Sequence, residues 1–147
     1  MLTQLWEQPL RRHHLAISIE RAQAALRIAT DAALLPLGIT TPQYAVFSAL
    51  SSTPELSNAE LARQCSVTPQ TMLRVVEHLE RAGLVQREPH RTHGRVLNVS
   101  LTLRGMRLID RCHHAVALAE RRMLRALAPG EVTTLDDLLR CCIQALE

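Results

Sequence analysis

Apolar positions along the chain recur mainly at the spacing that is typical of helices. Between about residues 10 and 35 they recur every three or four positions, which predicts an amphipathic helix. A second apolar stripe on that segment predicts that the helix is covered on more than one side. The same spacing returns over residues 102–127 and again after Pro129. The sequence therefore predicts long helices at both ends of the chain.

Between these long segments, helix-start signals follow one another closely. Thr40 and Ser57 are each followed three residues later by Gln or Glu, which is the spacing of a capping box. Thr68 is followed by Pro69, a pairing that is typical of an N-cap and the first helical position. Gly83 ends the last of these segments. We therefore expect three short helices in the middle of the chain.

The segment after Gly83 changes to the pattern of strands. Residues 84–88 and 96–101 are short strand candidates, the second with alternating apolar positions. Residues 89–95 between them are basic and contain Gly94, so they are expected to form a hairpin loop. Short helices followed by a basic two-stranded hairpin predict a winged helix-turn-helix.

The helix predicted at Thr68 explains why this arrangement suits DNA. Its apolar stripe can hold it to the rest of the domain, while its other side offers donors and acceptors to base edges. Its N-terminus can meet a phosphate. The candidate DNA-binding residues in this part of the chain are Ser57, Asn58, Thr68, Gln70, Thr71, Arg74 and His78. The wing candidates are Arg91, His93 and Arg95.

Composition narrows the class of partner. The 147 residues carry a net charge of +3, and 47% of them are hydrophobic, which predicts one ordered domain. Only 2% are aromatic, which argues against a protein that stacks single-stranded bases on aromatic side chains. The sequence predicts neither a signal peptide nor a membrane span, so a soluble, cytoplasmic protein is expected.

Three segments resemble the MarR family of bacterial transcriptional regulators. They are LGITTPQYAVFSAL, LSNAELARQCSVTPQTMLRVVEHLERAGLVQRE and HGRVLNVSLTLRG. The resemblance implies a mostly α-helical fold with a small β-hairpin wing. Residues 39–101 would form the DNA-binding region, and residues 1–38 and 102–147 would form a helical dimerisation region. It also implies a homodimer on a palindromic double-stranded operator, and we expect a repressor, with an activator as the alternative.

The resemblance has two departures. The wing of the family usually carries Asp, any residue and Arg, whereas this chain has His93, Gly94 and Arg95. The acid that usually supports the wing arginine is therefore absent. Leu73 occupies a position that is often small or polar in the family, where it could touch a thymine methyl group or pack.

Members of the family commonly release DNA when a small phenolic or anionic molecule binds between the two regions. For such an effector we expect a cleft where the first, second and fifth helices meet. The candidate residues for that cleft are His13, His14, Tyr44, Arg107 and His113. They could equally be solvated, packed in the core or part of the dimer surface.

A regulator that responds to thiol oxidation or to a metal is the alternative hypothesis, with Cys65, Cys112 or Cys142 as the sensing residue. Adjacent residues of a helix point about 100° apart, so Cys141 and Cys142 cannot easily hold one ion. Cys112 and Cys142 fall on apolar stripes, where a cysteine is more commonly a small buried hydrophobic residue than a sensing residue. No catalytic arrangement stands out, and we expect no enzyme activity, no cofactor and no metal site.

Overall fold

A computed structural model of the chain describes residues 14–90 and 94–146. In these residues the chain is mostly α-helical with one small antiparallel sheet, as predicted. The elements in chain order are α1 (His14–Leu34), a 3-10 helix (Leu35–Leu37), α2 (Thr41–Ser52), β1 (Leu56–Ser57), α3 (Asn58–Gln64), α4 (Pro69–Arg81), β2 (Val85–Pro89), β3 (Leu97–Leu101), α5 (Leu103–Leu124) and α6 (Pro129–Gln144).

The predicted helix starts are confirmed by their hydrogen bonds. Thr40 and Ser57 each form a capping box with the residue three positions later. The side chain of Thr68 accepts a bond from a backbone N–H of α4, and that of Thr102 accepts one from α5. These caps satisfy N–H groups that a helix leaves unpaired at its start, so they fix where the helices begin.

The sheet has one strand that the sequence pattern did not predict. Its order is β1-β3-β2, and Leu56 of β1 lies opposite Val99 of β3. β2 and β3 form the predicted hairpin. β2 is shifted by one residue from the expected bounds, and β3 begins one residue later than expected and ends at the expected residue. Gly83 has a φ of 68°, a conformation that favours glycine, and it turns the chain from α4 towards this hairpin.

The hydrophobic core lies between α2, α3, α4 and the sheet, and α5 closes one side of it. Phe47, Leu61 and Leu79 contribute fully buried side chains from the three short helices. α5 adds Ile109 and Cys112. The core therefore fixes α4 against the rest of the domain through one side of that helix only.

The start of α5 is hydrogen-bonded to the turn that follows α4, and we call this contact the Thr102 joint. The hydroxyl of Thr102 lies 2.8 Å from the carbonyl oxygen of Gly83 and 3.2 Å from that of Leu84, to which it donates. The hydroxyl oxygen of Thr102 also accepts a bond of 3.1 Å from the N–H of Gly105. The backbone N–H of Thr102 also donates to the Leu84 carbonyl, at 3.1 Å. This joint connects the turn after α4 directly to the first turn of α5.

α1, α5 and α6 expose much more apolar surface than the rest of the fold. α1 packs against α5, but α6 has no buried residue. Cys142 is exposed, so the interpretation of it as a buried hydrophobe is wrong for the single chain. The exposed large apolar residues of these helices are Leu15, Ile17, Ile19, Ile28, Leu103, Met106, Leu118, Met123, Leu135, Leu138, Leu139 and Ile143. Among the described residues, no helix is long and apolar enough to cross a membrane.

Candidate nucleic-acid interface

The start of α4 is held by a compact set of hydrogen bonds. The Thr68 hydroxyl oxygen accepts a bond of 3.2 Å from the backbone N–H of Thr71. The same hydroxyl donates to the Thr71 side-chain oxygen at 2.9 Å. Pro69 at the first helical position needs no donor partner. The N-terminus of α4 is thereby ordered and open to solvent, where a helix end attracts anions.

The two sides of α4 differ sharply in chemistry. Met72, Val76 and Leu79 are almost wholly buried against the core. The opposite side is exposed along the length of the helix, with residues that donate or accept hydrogen bonds. It carries Gln70, Thr71, Arg74, His78 and Arg81. Such a side can reach base edges and phosphates while the helix stays packed on its domain.

Ser57 and Asn58, both predicted to bind DNA, also make internal contacts. The Ser57 hydroxyl and backbone N–H donate to a Glu60 carboxylate oxygen at 2.7 and 2.8 Å. The hydrogen bond from the Ser57 side chain, and that from its backbone, hold the pKa of Glu60 below its ordinary value. The Asn58 amide donates to the Pro69 carbonyl at 3.0 Å. Asn58 thus joins the start of α3 to the start of α4.

An ion pair connects the wing to α4. Two guanidinium nitrogens of Arg87, on β2, donate to one carboxylate oxygen of Glu80 at 2.9 and 2.5 Å. This hydrogen bonding raises the pKa of Arg87. Arg87 adds to the basic residues around the wing in sequence, but its charge is paired and its side chain is only 22% exposed. Arg95 is exposed in the turn before β3, whereas Arg91 and His93 lie outside the described residues.

The predicted effector residues do not all come together. The Tyr44 hydroxyl lies 2.9 Å from Nδ1 of His113, so this pair joins α2 to α5. Burial, more than the nearby Cys112 and Glu120, raises the pKa of Tyr44. Arg107 is exposed on α5, on a different side of that helix from His113. His13 lies outside the described residues, and His14 opens α1.

A solvent-open groove of about 420 Å³ lies between the end of α1 and α5. Arg111 and His114 provide its basic groups, beside Asp110 and apolar residues that include Leu37. Sequence reasoning did not choose these residues for the effector. The signal was present, because residues three and four apart on a helix share one side and Arg111 precedes His114 by three.

The thiols differ in their surroundings. Burial raises the pKa of Cys112, with a smaller opposing influence from Arg111. Burial also raises the pKa of Cys65. A raised pKa lowers the thiolate fraction and hence the reactivity of both groups at neutral pH. Within the described ranges, no three His, Cys, Asp or Glu side chains gather in a way that could hold a metal ion.

The short helices, the exposed side of α4 and the antiparallel hairpin define a winged helix-turn-helix protein. Comparison with known sequences identifies its family. The sequence model of the MarR family matches residues 37–96. The HTH-type transcriptional repressor Rv2887 of Mycobacterium tuberculosis is 46% identical over 112 residues, which are 76% of this chain and 81% of that repressor. The chain belongs to the MarR family.

Crystal structures of the M. tuberculosis MarR family protein Rv2887 are similar to this fold. Its complex with DNA matches with a TM-score of 0.75 and 38% identity, over 88% of this chain and 97% of that chain. Its complex with salicylic acid matches with a TM-score of 0.73 and 40% identity, over 88% of this chain and 96% of that chain. That relative therefore binds both DNA and a phenolic acid on the same architecture.

Proposed function

We propose that this chain is a DNA-binding transcriptional repressor that acts as a homodimer on a palindromic operator. The observation that carries the proposal is the two-sided chemistry of α4. One side is buried in the core, and the other presents Gln70, Arg74 and His78 to solvent beside a basic hairpin. The repressor activity and DNA complex of the related Rv2887 support the same function.

In this proposal α4 enters the major groove and the wing follows the adjacent backbone. Arg and Gln side chains make bidentate pairs with guanine and adenine there, so Arg74 reads guanine and Gln70 reads adenine. The open N-terminus of α4 at Thr68 meets a phosphate. Arg95, and Arg91 and His93 outside the described residues, contribute electrostatic and groove-width readout.

The test is selection of bound duplexes from a random pool, followed by affinity measurements on the consensus. Arg74→Ala should cost about 1 to 3 kcal/mol per half-site and relax the preference at one position. Arg140→Ala, which removes an arginine that pairs with Asp136 on α6, is the matched control for the loss of one positive charge, provided that light scattering shows an unchanged mass for this variant. Equal weakening of all sequences by Arg74→Ala would make Arg74 a phosphate contact.

The homodimer is supported by the uncovered apolar surface of α1, α5 and α6. Single exposed apolar residues are common, but twelve large ones among the described residues of these three helices indicate an interaction surface. We therefore assign residues 1–38 and 102–147 to dimerisation, and residues 39–101 to DNA binding. A twofold dimer places two copies of α4 about one DNA turn apart, with half-site centres about 10 base pairs apart.

Light scattering across a concentration series tests the dimer. The expected mass at micromolar concentration is twice 16.4 kDa. Leu138→Asp on α6 should shift the protein towards a monomer, because Leu138 is exposed and apolar in the single chain. A wild-type monomer at that concentration would rule out the dimer while leaving DNA binding to be measured separately.

We also propose that a small phenolic or anionic molecule releases the DNA. The salicylic acid complex of Rv2887 supports this class of effector. Tyr44 and His113 join α2 to α5 by a hydrogen bond, so a molecule that competes for that bond can alter how the DNA-binding region sits on α5. Only a molecule that prefers one of the two arrangements can regulate.

Titration of the protein–DNA complex with salicylate tests this regulation. Release by salicylate should require less ligand in wild type than in Tyr44→Phe, which removes the hydroxyl alone. Arg111→Ala should weaken release if the ligand enters the groove at α5 instead. Full release in both variants would place the ligand elsewhere, and no release in wild type would favour a ligand-independent or thiol-based regulator.

A further inference from the structure

α4 carries one large apolar side chain on its exposed part. Leu73 leaves 40% of its surface in solvent, whereas Met72 and Val76 are almost completely buried. Val75, the other apolar residue near the edge of the buried stripe, packs against the core. The domain core therefore covers each of these apolar neighbours of Leu73, but it leaves much of the Leu73 side chain exposed to solvent.

The position of Leu73 connects it with the proposed base-reading residues. It follows Gln70 by three positions, so the two side chains are neighbours on the surface of the helix. Arg74 lies about 100° further round the helix from Leu73. A helix seated in the major groove through Gln70 and Arg74 would carry Leu73 along one wall of the same groove.

The major groove offers one apolar group to such a side chain. Each base presents hydrogen-bond donors or acceptors there, and thymine alone adds a methyl group, on its C5 atom. A leucine facing this groove gains little from the polar edges but can exclude water from the methyl group. For an apolar side chain in this groove, contact with the thymine methyl group is therefore more favourable than contact with a polar base edge.

We propose that Leu73 contacts the C5-methyl group of a thymine in the operator and so selects thymine at one position of each half-site. The proposal rests on the DNA-binding function proposed above. It assigns Leu73 a role in specificity that differs from hydrogen bonding by Gln70 and Arg74. The position it reads should lie beside the adenine assigned to Gln70.

Replacement of thymine by deoxyuridine tests the contact, because this change removes only the C5-methyl group. On the selected consensus, each thymine is replaced in turn, and the affinity of wild type is measured by fluorescence anisotropy. Replacement at the position read by Leu73 should weaken binding about fourfold per methyl group, the effect of one buried methylene. Replacement at thymines outside that position should have no such effect.

Two variants connect the methyl group with Leu73. Leu73→Ala should bind the thymine and deoxyuridine duplexes equally at that position, whereas Leu73→Met should keep the preference because it retains an apolar side chain. In wild type, 5-methylcytosine at that position should bind more tightly than cytosine, since it restores the methyl group without thymine. Circular dichroism should show that both variants retain the fold, because Leu73 is outside the core.

The outcomes separate this proposal from the function on which it rests. Failure to select any duplex would overturn the DNA-binding function itself. Selection of a clear consensus with no deoxyuridine-sensitive position would overturn the role of Leu73 alone. A sensitive position that stays equally sensitive in Leu73→Ala would assign the methyl contact to another residue and would also overturn the proposal.

Discussion

Replacement of Gly105 by alanine tests how closely α5 approaches the turn after α4. A Cβ atom on Gly105 would lie inside the contact distance of the Leu84 carbonyl oxygen and 3.1 Å from the carbonyl carbon. Both atoms belong to the backbone, and Thr102 donates two hydrogen bonds to that carbonyl. The obstacle therefore cannot rotate away as the end of a flexible side chain could.

Two opposing contributions decide the sign of this change. Alanine is favoured over glycine within a helix by about 1 kcal/mol. Overpacking in a tight site costs about 1 to 3 kcal/mol, and the rigid obstacle at Leu84 places Gly105→Ala at the upper end. The net expectation is a loss of about 2 kcal/mol. For a domain of this size, that corresponds to a fall in Tm of about 4 to 8 °C.

Urea unfolding followed by circular dichroism measures the effect, at one fixed protein concentration because the proposed dimerisation would add to stability. Gly130→Ala is the matched control. Gly130 lies in the first turn of α6, and an added Cβ atom there meets no atom within 4 Å in the single chain. The control should be neutral or slightly stabilised. A Gly105→Ala protein as stable as wild type would refute the close approach.

Three further changes probe other contacts of the same region. Thr68→Ala should lower the free energy of unfolding by about 0.5 to 2 kcal/mol, because the α4 cap is lost. Thr68→Ser should retain most of that stability in the same urea assay. Cys112 should resist alkylation until the protein unfolds, because burial raises its pKa, and rapid labelling of the native protein would contradict this. Glu80→Ala should cost up to about 1 kcal/mol of stability but lower DNA affinity, because Arg87 no longer fixes the wing to α4; unchanged affinity would show that the wing needs no such support.

Local signals in the sequence predicted much of the fold. A capping residue and the N–H that it accepts from lie within three positions of each other, so Thr40 and Ser57 could be recognised from the spacing of the capping box alone. β1 could not, because a two-residue strand has no periodicity and its partner Val99 is distant in sequence. Its pairing depends on the tertiary fold.

The candidate site also combines features that the sequence predicts with features that depend on the tertiary fold. The exposed side of α4 follows from helical periodicity, which fixes the neighbours of Arg74 around the axis. The pairing of Glu80 with Arg87 depends on how β2 returns past α4 after the Gly83 turn. The Tyr44–His113 bond joins residues from two separate helices. Periodicity also cannot tell which apolar stripe another part of the chain covers, and so it does not reveal that Cys142 is exposed in the single chain.

The Thr102 joint couples any tilt of α5 to a displacement of α4. Because the turn after α4 is fastened to the first turn of α5, the two must move together when α5 tilts. α5 has 22 residues, so at about 1.5 Å per residue it is about 33 Å long. A tilt of about 5° about its far end would carry the fastened end sideways by about 3 Å, close to the rise of one base pair, about 3.4 Å. A small rotation of α5 can thus displace α4 by nearly one base-pair step relative to the DNA groove in which we propose that α4 lies.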